Sequence, residues 1–435
     1  MKRLGFCLSL LLALNICAQD AAWYKGNLHM HTVWSDGGVF PEEAVDYYRS
    51  RGYHFLCLSD HNQLQINPAN WVEIGGTREP SWYPKITPAA LEQYLKAFGD
   101  TADKKTEDDK DFVRLKTIGE LKQQFDKEGQ FLLVPGHEIN RSVGGIEVHM
   151  NAINISRTFP FATTTTVHEA FAKSEKAVTA HGKENNIETL FMLNHPFWRY
   201  FDVQPETLIQ LPQIRFYELA NGGGGGNVFP AHPDWYSLEK FWDVANAFRI
   251  SAGHPPVYGV ATDDTHGYGS PDNVTRGWVY VRAPKLDCDT LVQAMNRGDF
   301  YSSCGVVLKD VRFDVVAGTL TVEVDPKANE AYEVAFIVTR ADFDRTTSSF
   351  DDPAEDKKPA RKGLKYSDTI GVVAKKESGF SASYTMQPND LYVRATITSS
   401  TKIIKGRLTA NSPVFETAWT QPYGWQQWQQ RNVKK

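Results

Sequence analysis

Along the chain, short apolar runs alternate with stretches whose apolar residues recur at helical spacing. Asn27–His31 is the first run. It leads to a helix opened by Pro41-Glu42-Glu43 and closed near Gly52, with proline at a first-turn position and acids at the start. Phe55–Ser59, Phe131–Pro135, Val148–Ile155, Leu190–Asn194, Ile214–Ala220 and Val257–Thr262 continue the series, with helical patterns such as Val167–Glu184 between several of them. Seven strands joined by helical crossovers predict a parallel α/β barrel or an open doubly wound sheet.

The polar residues at the ends of these runs decide between the two. His29/His31, His61, Glu138, His149, His195 and Asp264/His266 stand after or at the edge of six of them. An open sheet gathers ligands at one switch point, whereas a barrel collects side chains from many strands at one face. The expectation is a barrel of seven strands. Alternation puts His29 and His31 on the same side, as two ligands of one ion require. With Ser35-Asp36-Gly37, Asp60-His61 and Asp264-Thr-His266, they predict a multinuclear hydrolase site. Asp60 reads as an orienting partner rather than a ligand. Asp263 competes with Asp264, and only the Asp-x-His spacing favours the latter. His54, His137, His168, His181, His232 and His254 read as ordinary core or surface histidines.

Between His61 and Phe131 the chain is too long for a simple crossover. An insertion over about 65–125, holding Trp71, Trp82, Tyr83, a helix near Pro88–Phe98 and the charged run Asp103–Asp111, leaves a ligand-bearing strand end and is expected beside the mouth of the site. Gly222–Gly226 is expected to form a flexible lip on the same rim. From about Leu308 the pattern becomes alternating. Val311–Val316 and Thr319–Val324 flank Ala317-Gly318 as a β-hairpin, and Tyr332–Thr339, Gly379–Tyr384 and Leu391–Ile397 are further strands. These define a β-sandwich-like domain over 308–420, interrupted by the polar stretch Asp342–Lys365. In the tail, residues 421–435, Trp425 and Trp428 are expected to pack onto the barrel together with Trp419.

Composition narrows the class. The 435 residues are 41% apolar and 12% aromatic, ample for packed cores. A net charge of −5 argues against broad binding to nucleic acid. Residues 1–18 read as a signal peptide: Lys2 and Arg3, the apolar stretch Leu4–Ile16, and a cut before Gln19. That stretch falls short of the ~20 residues of a spanning helix, and no other run is long enough, so a secreted or periplasmic protein with no transmembrane segment is expected. Lipid attachment at Cys17 is disfavoured by the bulky Ile16 before it. Cys57 reads as a buried thiol. Cys288 and Cys304 are able to pair in an oxidising compartment, though spacing does not show it.

Taken together, the motifs resemble those of the PHP (polymerase and histidinol phosphatase) superfamily, over roughly Gly26 to Gly305. They are His29-Met-His31-Thr32, Ser35-Asp36-Gly37, Ser59-Asp60-His61-Asn62, Gly136-His-Glu138, His149-Met-Asn151, Asn194-His195-Pro196, Asp264-Thr-His266-Gly267 and the Ala294–Gly305 stretch. The resemblance implies a distorted seven-stranded (β/α) TIM-like barrel, spanning residues 19–307, with up to three metal ions. It implies His29, His31, Glu138 and Asp264 around a first ion. Glu138 would bridge to a second ion held by His149 and His195, and Asp36, His61 and His266 would hold a third. Many members carry His where this chain has Asp36, whereas nucleotidase-like members carry Asp. The oxygen-rich third site favours manganese or iron over an all-zinc cluster.

Three divalent ions bring about +6 and three carboxylates return about −3, leaving a pocket suited to a phosphate dianion once a bridging hydroxide is counted. The expected chemistry is attack of metal-activated hydroxide on a small phosphomonoester or phosphodiester, a nucleotide or sugar phosphate, without a covalent enzyme intermediate. Arg141, Arg199 and Arg276 are candidate phosphate contacts. Trp34, Trp198 and Tyr200 are candidates for stacking on a base or sugar. Two other readings remain: an amidohydrolase-type C–N or lactone hydrolase, whose barrels also begin with HxH, and an extracellular binding module with structural metals. The first commonly uses a bridging lysine where this chain offers Glu138, and the second is disfavoured by an open site.

Overall fold

The computed structural model describes residues 21–161, 163–197, 202–223, 234–268, 274–354, 359–403 and 414–432. The proposed signal sequence, with Cys17, lies outside them. In chain order the first elements are β1 (Ala22–Asn27), α1 (Pro41–Arg49) and β2 (Phe55–Leu58). The insertion follows, with β3 (Trp71–Glu73), α2 (Pro88–Phe98), β4 (Lys104–Glu107), β5 (Lys110–Arg114) and α3 (Ile118–Phe125). Then come β6 (Leu132–Val143), β7 (Ile146–Ile153), α4 (Val167–Asn185), β8 (Leu190–Leu193), α5 (Pro205–Gln210), β9 (Phe216–Asn221), α6 (Leu238–Ser251) and β10 (Tyr258–Thr262). The chain continues through β11 (Trp278–Ala283), α7 (Cys288–Arg297), β12 (Phe300–Ser303), β13 (Leu308–Asp314), β14 (Thr319–Val324), β15 (Tyr332–Arg340), β16 (Thr347–Asp352) and β17 (Arg361–Tyr366). It ends with β18 (Val372–Ser378), β19 (Ser381–Thr385), β20 (Asp390–Lys402), β21 (Phe415–Thr420) and α8 (Trp425–Asn432).

Local chemistry explains the helix starts. Pro88 follows Thr87, whose hydroxyl accepts the Ala90 N–H at 3.1 Å. At α1 the Glu43 carboxylate accepts the Phe40 N–H at 3.0 Å, with Pro41 at the first position.

This is a mixed α/β protein with a large central sheet. Among the described residues thirteen strands join in the order β10-β9-β8-β7-β6-β2-β1-β11-β12-β21-β20-β15-β18. β1, β2 and β6 run parallel, as do β8, β9 and β10, while β7 is antiparallel to both neighbours. The expectation of parallel strands throughout is corrected there. Gly144 and Gly145 both have positive φ, 59° and 85°, the geometry of a two-residue hairpin turn, so β6 returns directly as β7 without a helix. Past the last residues of β1 and β10, Met30 and Thr265 form a parallel bridge, with His31 N–H donating to Thr265 O at 2.9 Å and Asp264 N–H donating to His29 O at 2.9 Å. His29 and His31 therefore lie just beyond β1 rather than in it.

An apolar cluster including Leu28, Phe55, Val134, Met192, Phe216, Val260 and Val279 fills the space between these strands. β12 pairs with β21, so the sheet runs on past residue 307. The smaller sheet β13-β14-β19 shares a core of Leu320, Val322, Val334, Phe336, Val393 and Ala395 with β15 and β20. The polar stretch expected to interrupt this region holds the β16–β17 hairpin. Trp428 packs with Val244 and Ile250 of α6, and Trp419 Nε1–H donates to Glu239 at 3.0 Å. Cys57, Cys288 and Cys304 are free thiols. Among the described residues no helix is long and apolar enough to cross a membrane.

Candidate metal centre

Met30 sits in an apolar cluster with Val45 and Leu56, so the residues on either side of it face the opposite way, into the centre. His29 and His31 are fully buried, with their Nε2 atoms 3.2 Å apart. Asp264 Oδ1 lies 3.3 Å from His29 Nε2 and 3.1 Å from His31 Nε2. Its φ of 47° is uncommon for a residue with a side chain and turns the carboxylate inward from the end of β10. Glu138, within β6, spans the cluster. Its Oε2 is 3.4 Å from His29 Nε2, 3.5 Å from His31 Nε2 and 2.9 Å from His61 Nδ1. Its Oε1 is 3.1 Å from His149 Nδ1 and 3.3 Å from His195 Nε2. Asp36 forms an outer group, 3.4 Å from His31 Nδ1, 3.6 Å from His61 Nε2 and 3.1 Å from His266 Nε2.

All nine expected ligands meet at this one place. Four subsets bring their atoms close enough to hold an ion: His31/Asp36/His61/His266, His29/His195/Asp264, His29/His31/Glu138 and His61/Glu138/His149. The grouping is more interleaved than the motifs imply, since His61 faces both Asp36 and Glu138. The residues fit cations. An ion about 2.0–2.1 Å from each ligand holds its ligands about 3.0–3.5 Å apart, the spacing seen here. Glu138 Oε2 and His61 Nδ1 are buried and 2.9 Å apart, yet their geometry makes no hydrogen bond.

The electrostatics agree. Burial pushes the Glu138 pKa up, but the imidazoles of His29, His61 and His149 outweigh it and hold the carboxyl well below the usual range. Asp264 and Asp36 are likewise held low against burial, chiefly by His29 and His31 respectively. Burial, with His266 and His61 nearby, brings His31 down to about 4, so it presents neutral imidazole. Against burial, Glu138 and Asp36 bring His61 up to about 10. The pocket's demand for positive charge is large enough to hold protons there.

Supporting contacts hold these ligands in place. Glu218 was not anticipated. Its Oε1 accepts His29 Nδ1–H at 2.6 Å and the Thr262 hydroxyl at 2.7 Å, and its Oε2 accepts the His195 N–H at 2.7 Å. It fixes His29 with Nε2 toward the centre. The available signal was a carboxylate inside the apolar run Phe216-Tyr-Glu-Leu-Ala220. Asn194 Nδ2–H donates to Glu138 Oε1 at 2.8 Å. Asp60 accepts Thr32 N–H at 2.8 Å and the Ser35 hydroxyl at 2.6 Å, so it orients the loop that carries Asp36. Asp263 accepts the Tyr48 hydroxyl at 2.7 Å and Gly277 N–H at 2.9 Å, so Asp264 rather than Asp263 belongs to the centre. His54, His137 and His181 accept backbone N–H groups of Lys25, Phe159 and Ser156.

Above the centre opens a cavity of about 1390 Å³, lined by seven of the nine residues and by Arg141 and Arg276. Trp82 and Pro80 bring the insertion to its mouth. Trp34 is not a stacking surface: it is buried and its Nε1–H donates to Lys116 O at 3.0 Å. Arg199, Trp198, Tyr200, His232 and Gly224–Gly226 lie outside the described residues.

No family model matches the chain. Over 39 residues, 9% of this chain and 7% of the other, it is 41% identical to the DNA polymerase/3'-5' exonuclease PolX of Bacillus subtilis. Among solved structures it is similar to a two-domain protein from Bacteroides vulgatus containing a predicted PHP-like metal-dependent phosphoesterase. That likeness has 16% identity over 92% of this chain and 95% of that one, with a TM-score of 0.39. It is also similar to an amidohydrolase from Chromobacterium violaceum with bound sulfate, at 14% identity over 56% of this chain and 88% of that one, TM-score 0.28.

Proposed function

We propose that the chain is a metal-dependent phosphoesterase that hydrolyses small phosphorylated substrates, with His29, His31, Asp36, His61, Glu138, His149, His195, Asp264 and His266 as ligands of up to three divalent ions (manganese, iron or zinc). One observation carries the reading. Glu138 turns its two oxygens to two different sets of imidazole nitrogens at the floor of an open cavity. A carboxylate is able to join two cations in this way, whereas a single imidazole nitrogen is not. Ions held there supply Lewis-acid charge and lower the pKa of water. The chain's own residues do the rest. Glu218 and Asn194 hold His29 and Glu138 in orientation, Asp36 adds an oxygen on the outer side, and Arg141, exposed on the rim, meets the phosphate oxygens.

The Met30–Thr265 bridge supports closure of β1, β2 and β6–β10 into a distorted seven-stranded barrel over residues 19–307. The core shared between β13-β14-β19 and β15-β20 supports a β-sandwich-like unit over 308–420. The basic-then-apolar pattern of residues 1–18 supports export from the cytoplasm.

The test is metal content per chain in the purified protein, combined with turnover of mono- and diester phosphates and of amide substrates. Bound ions with chelator-sensitive phosphate release are expected. Release of amine from the amide substrates without phosphate release would move the chain to the amidohydrolase class. No bound metal, and no rescue by manganese, iron or zinc, would sink the reading.

A further inference from the structure

The insertion is pinned to the loops that carry the candidate ligands. Arg78 is buried and donates from Nη1 to Ser35 O at 2.8 Å and from Nη2 to Trp34 O at 3.3 Å, with its guanidinium 5.1 Å from the Tyr83 ring centroid. The Tyr83 hydroxyl donates to His61 O at 2.9 Å. Between these two anchors Trp82 remains 52% exposed. Its ring stands 5.3 Å from the His61 ring at 75°, and 4.6 Å from that of Tyr83. Pro160 and Phe161 add apolar lining elsewhere in the same cavity. An indole this exposed on a segment this firmly held is not a loose loop residue, and water is a poor partner for its faces.

We propose that Trp82 is a stacking platform for a planar unsaturated group, so that the favoured substrates are phosphoesters bearing an aryl or heteroaryl ring rather than small aliphatic ones. The inference rests on the phosphoesterase reading and deepens it. The Trp82 ring lies 5.3 Å from the ring of His61, so a group esterified to a phosphoryl bound beside His61 is within its reach. An aromatic face attracts any ring by dispersion and released water, about tenfold or more in affinity, with little dependence on ring identity.

The test separates ring recognition from turnover. Phenylphosphonate and propylphosphonate, which carry no hydrolysable ester, are titrated calorimetrically into the full chain with and without manganese. The wild type is expected to bind the phenyl compound at least tenfold more tightly, W82A to lose that preference, and W82F to keep most of it. Equal affinities, absence of binding, or a preference that survives W82A would overturn the proposal. Failure of the phosphoesterase reading shows separately, as no phosphate released from any ester. The ratios of kcat/KM for phenyl phosphate and for a nucleoside monophosphate, each against glycerol 3-phosphate, then locate the ring. A tenfold fall in the first ratio in W82A assigns a ring esterified directly, and a fall in the second assigns a ring one sugar away. A uniform loss on all three esters overturns the platform and leaves Trp82 as part of the wall.

Discussion

Two buried clusters of charge in this molecule are built on opposite rules. Between α6 and β20, Arg394 donates from Nε and Nη2 to the two oxygens of Asp243 at 2.8 and 2.6 Å, and from Nη1 to Glu239 at 2.9 Å. Tyr392, Trp419 and Thr396 donate to the same two carboxylates. All four carboxylate oxygens there meet a donor, and the cluster is closed. At the candidate metal centre carboxylate oxygens and imidazole nitrogens face one another across 3.1 to 3.5 Å, and the cluster opens onto a cavity. A closed charge network locks an interface. An open set of carboxylates and imidazoles is stable only with protons or metal cations among them.

Glu138→Gln breaks this contrast most forcefully. It removes the oxygen charge shared by two groups of ligands, so kcat/KM should fall on the order of a thousandfold. Added divalent ions should no longer raise the melting temperature. In cation-free buffer the variant should melt below the wild type, because the imidazoles of His29, His61 and His149 that hold the Glu138 carboxyl low lose their negative partner. Equal melting temperatures under those conditions would show that the carboxylate draws no stability from those imidazoles.

Arg394→Met should do the reverse. Asp243 is left buried without its cation, which costs about 3–5 kcal/mol in urea unfolding, while metal content per folded chain is unchanged. A loss below about 1 kcal/mol would place that network with ordinary surface ion pairs.

Glu218→Gln sharpens the comparison more gently. His29 keeps a partner but loses the charge that fixes its ring, so ion affinity should drop about 10–100-fold in calorimetric titration. Wild-type affinity would reduce Glu218 to a packing role.

The smallest effect is a pH slope. Burial raises the Glu239 pKa, but Arg394, Trp419 and Thr396 together bring it below the usual carboxylate value. Its folded pKa is therefore below its unfolded one. The stabilisation is present above the unfolded value of 4.5 and is lost as pH falls through the folded value. Melting temperature from about pH 6 to about pH 3 should decline more steeply in wild type than in Arg394→Met. Parallel curves would contradict the assignment.

Much of the site was legible because its ligands follow apolar runs, and a run's end is visible in one dimension. The HxH pair, Asp-x-His and the lone Glu138 were found that way. Three features were not. The Gly144-Gly145 turn makes β6 and β7 a hairpin, yet a long apolar run after it reads the same in a parallel or an antiparallel strand. Trp34 looked available beside Asp36, but the insertion buries it. Glu218 sat in full view inside an apolar strand, and its partner lies 189 residues earlier.

The sequence by itself determined the inventory: which nitrogens and oxygens are present, on which runs, and that their number suits several cations. Identity and spacing are local, and strand alternation converts them directly into sides. Only the tertiary structure decided which atoms face one another. Glu138 presenting separate oxygens to separate imidazoles, Asp264 displacing Asp263, and Trp82 held open at the mouth all depend on strands brought together from distant parts of the chain. Those distances are set by packing of the whole core, which no single segment encodes.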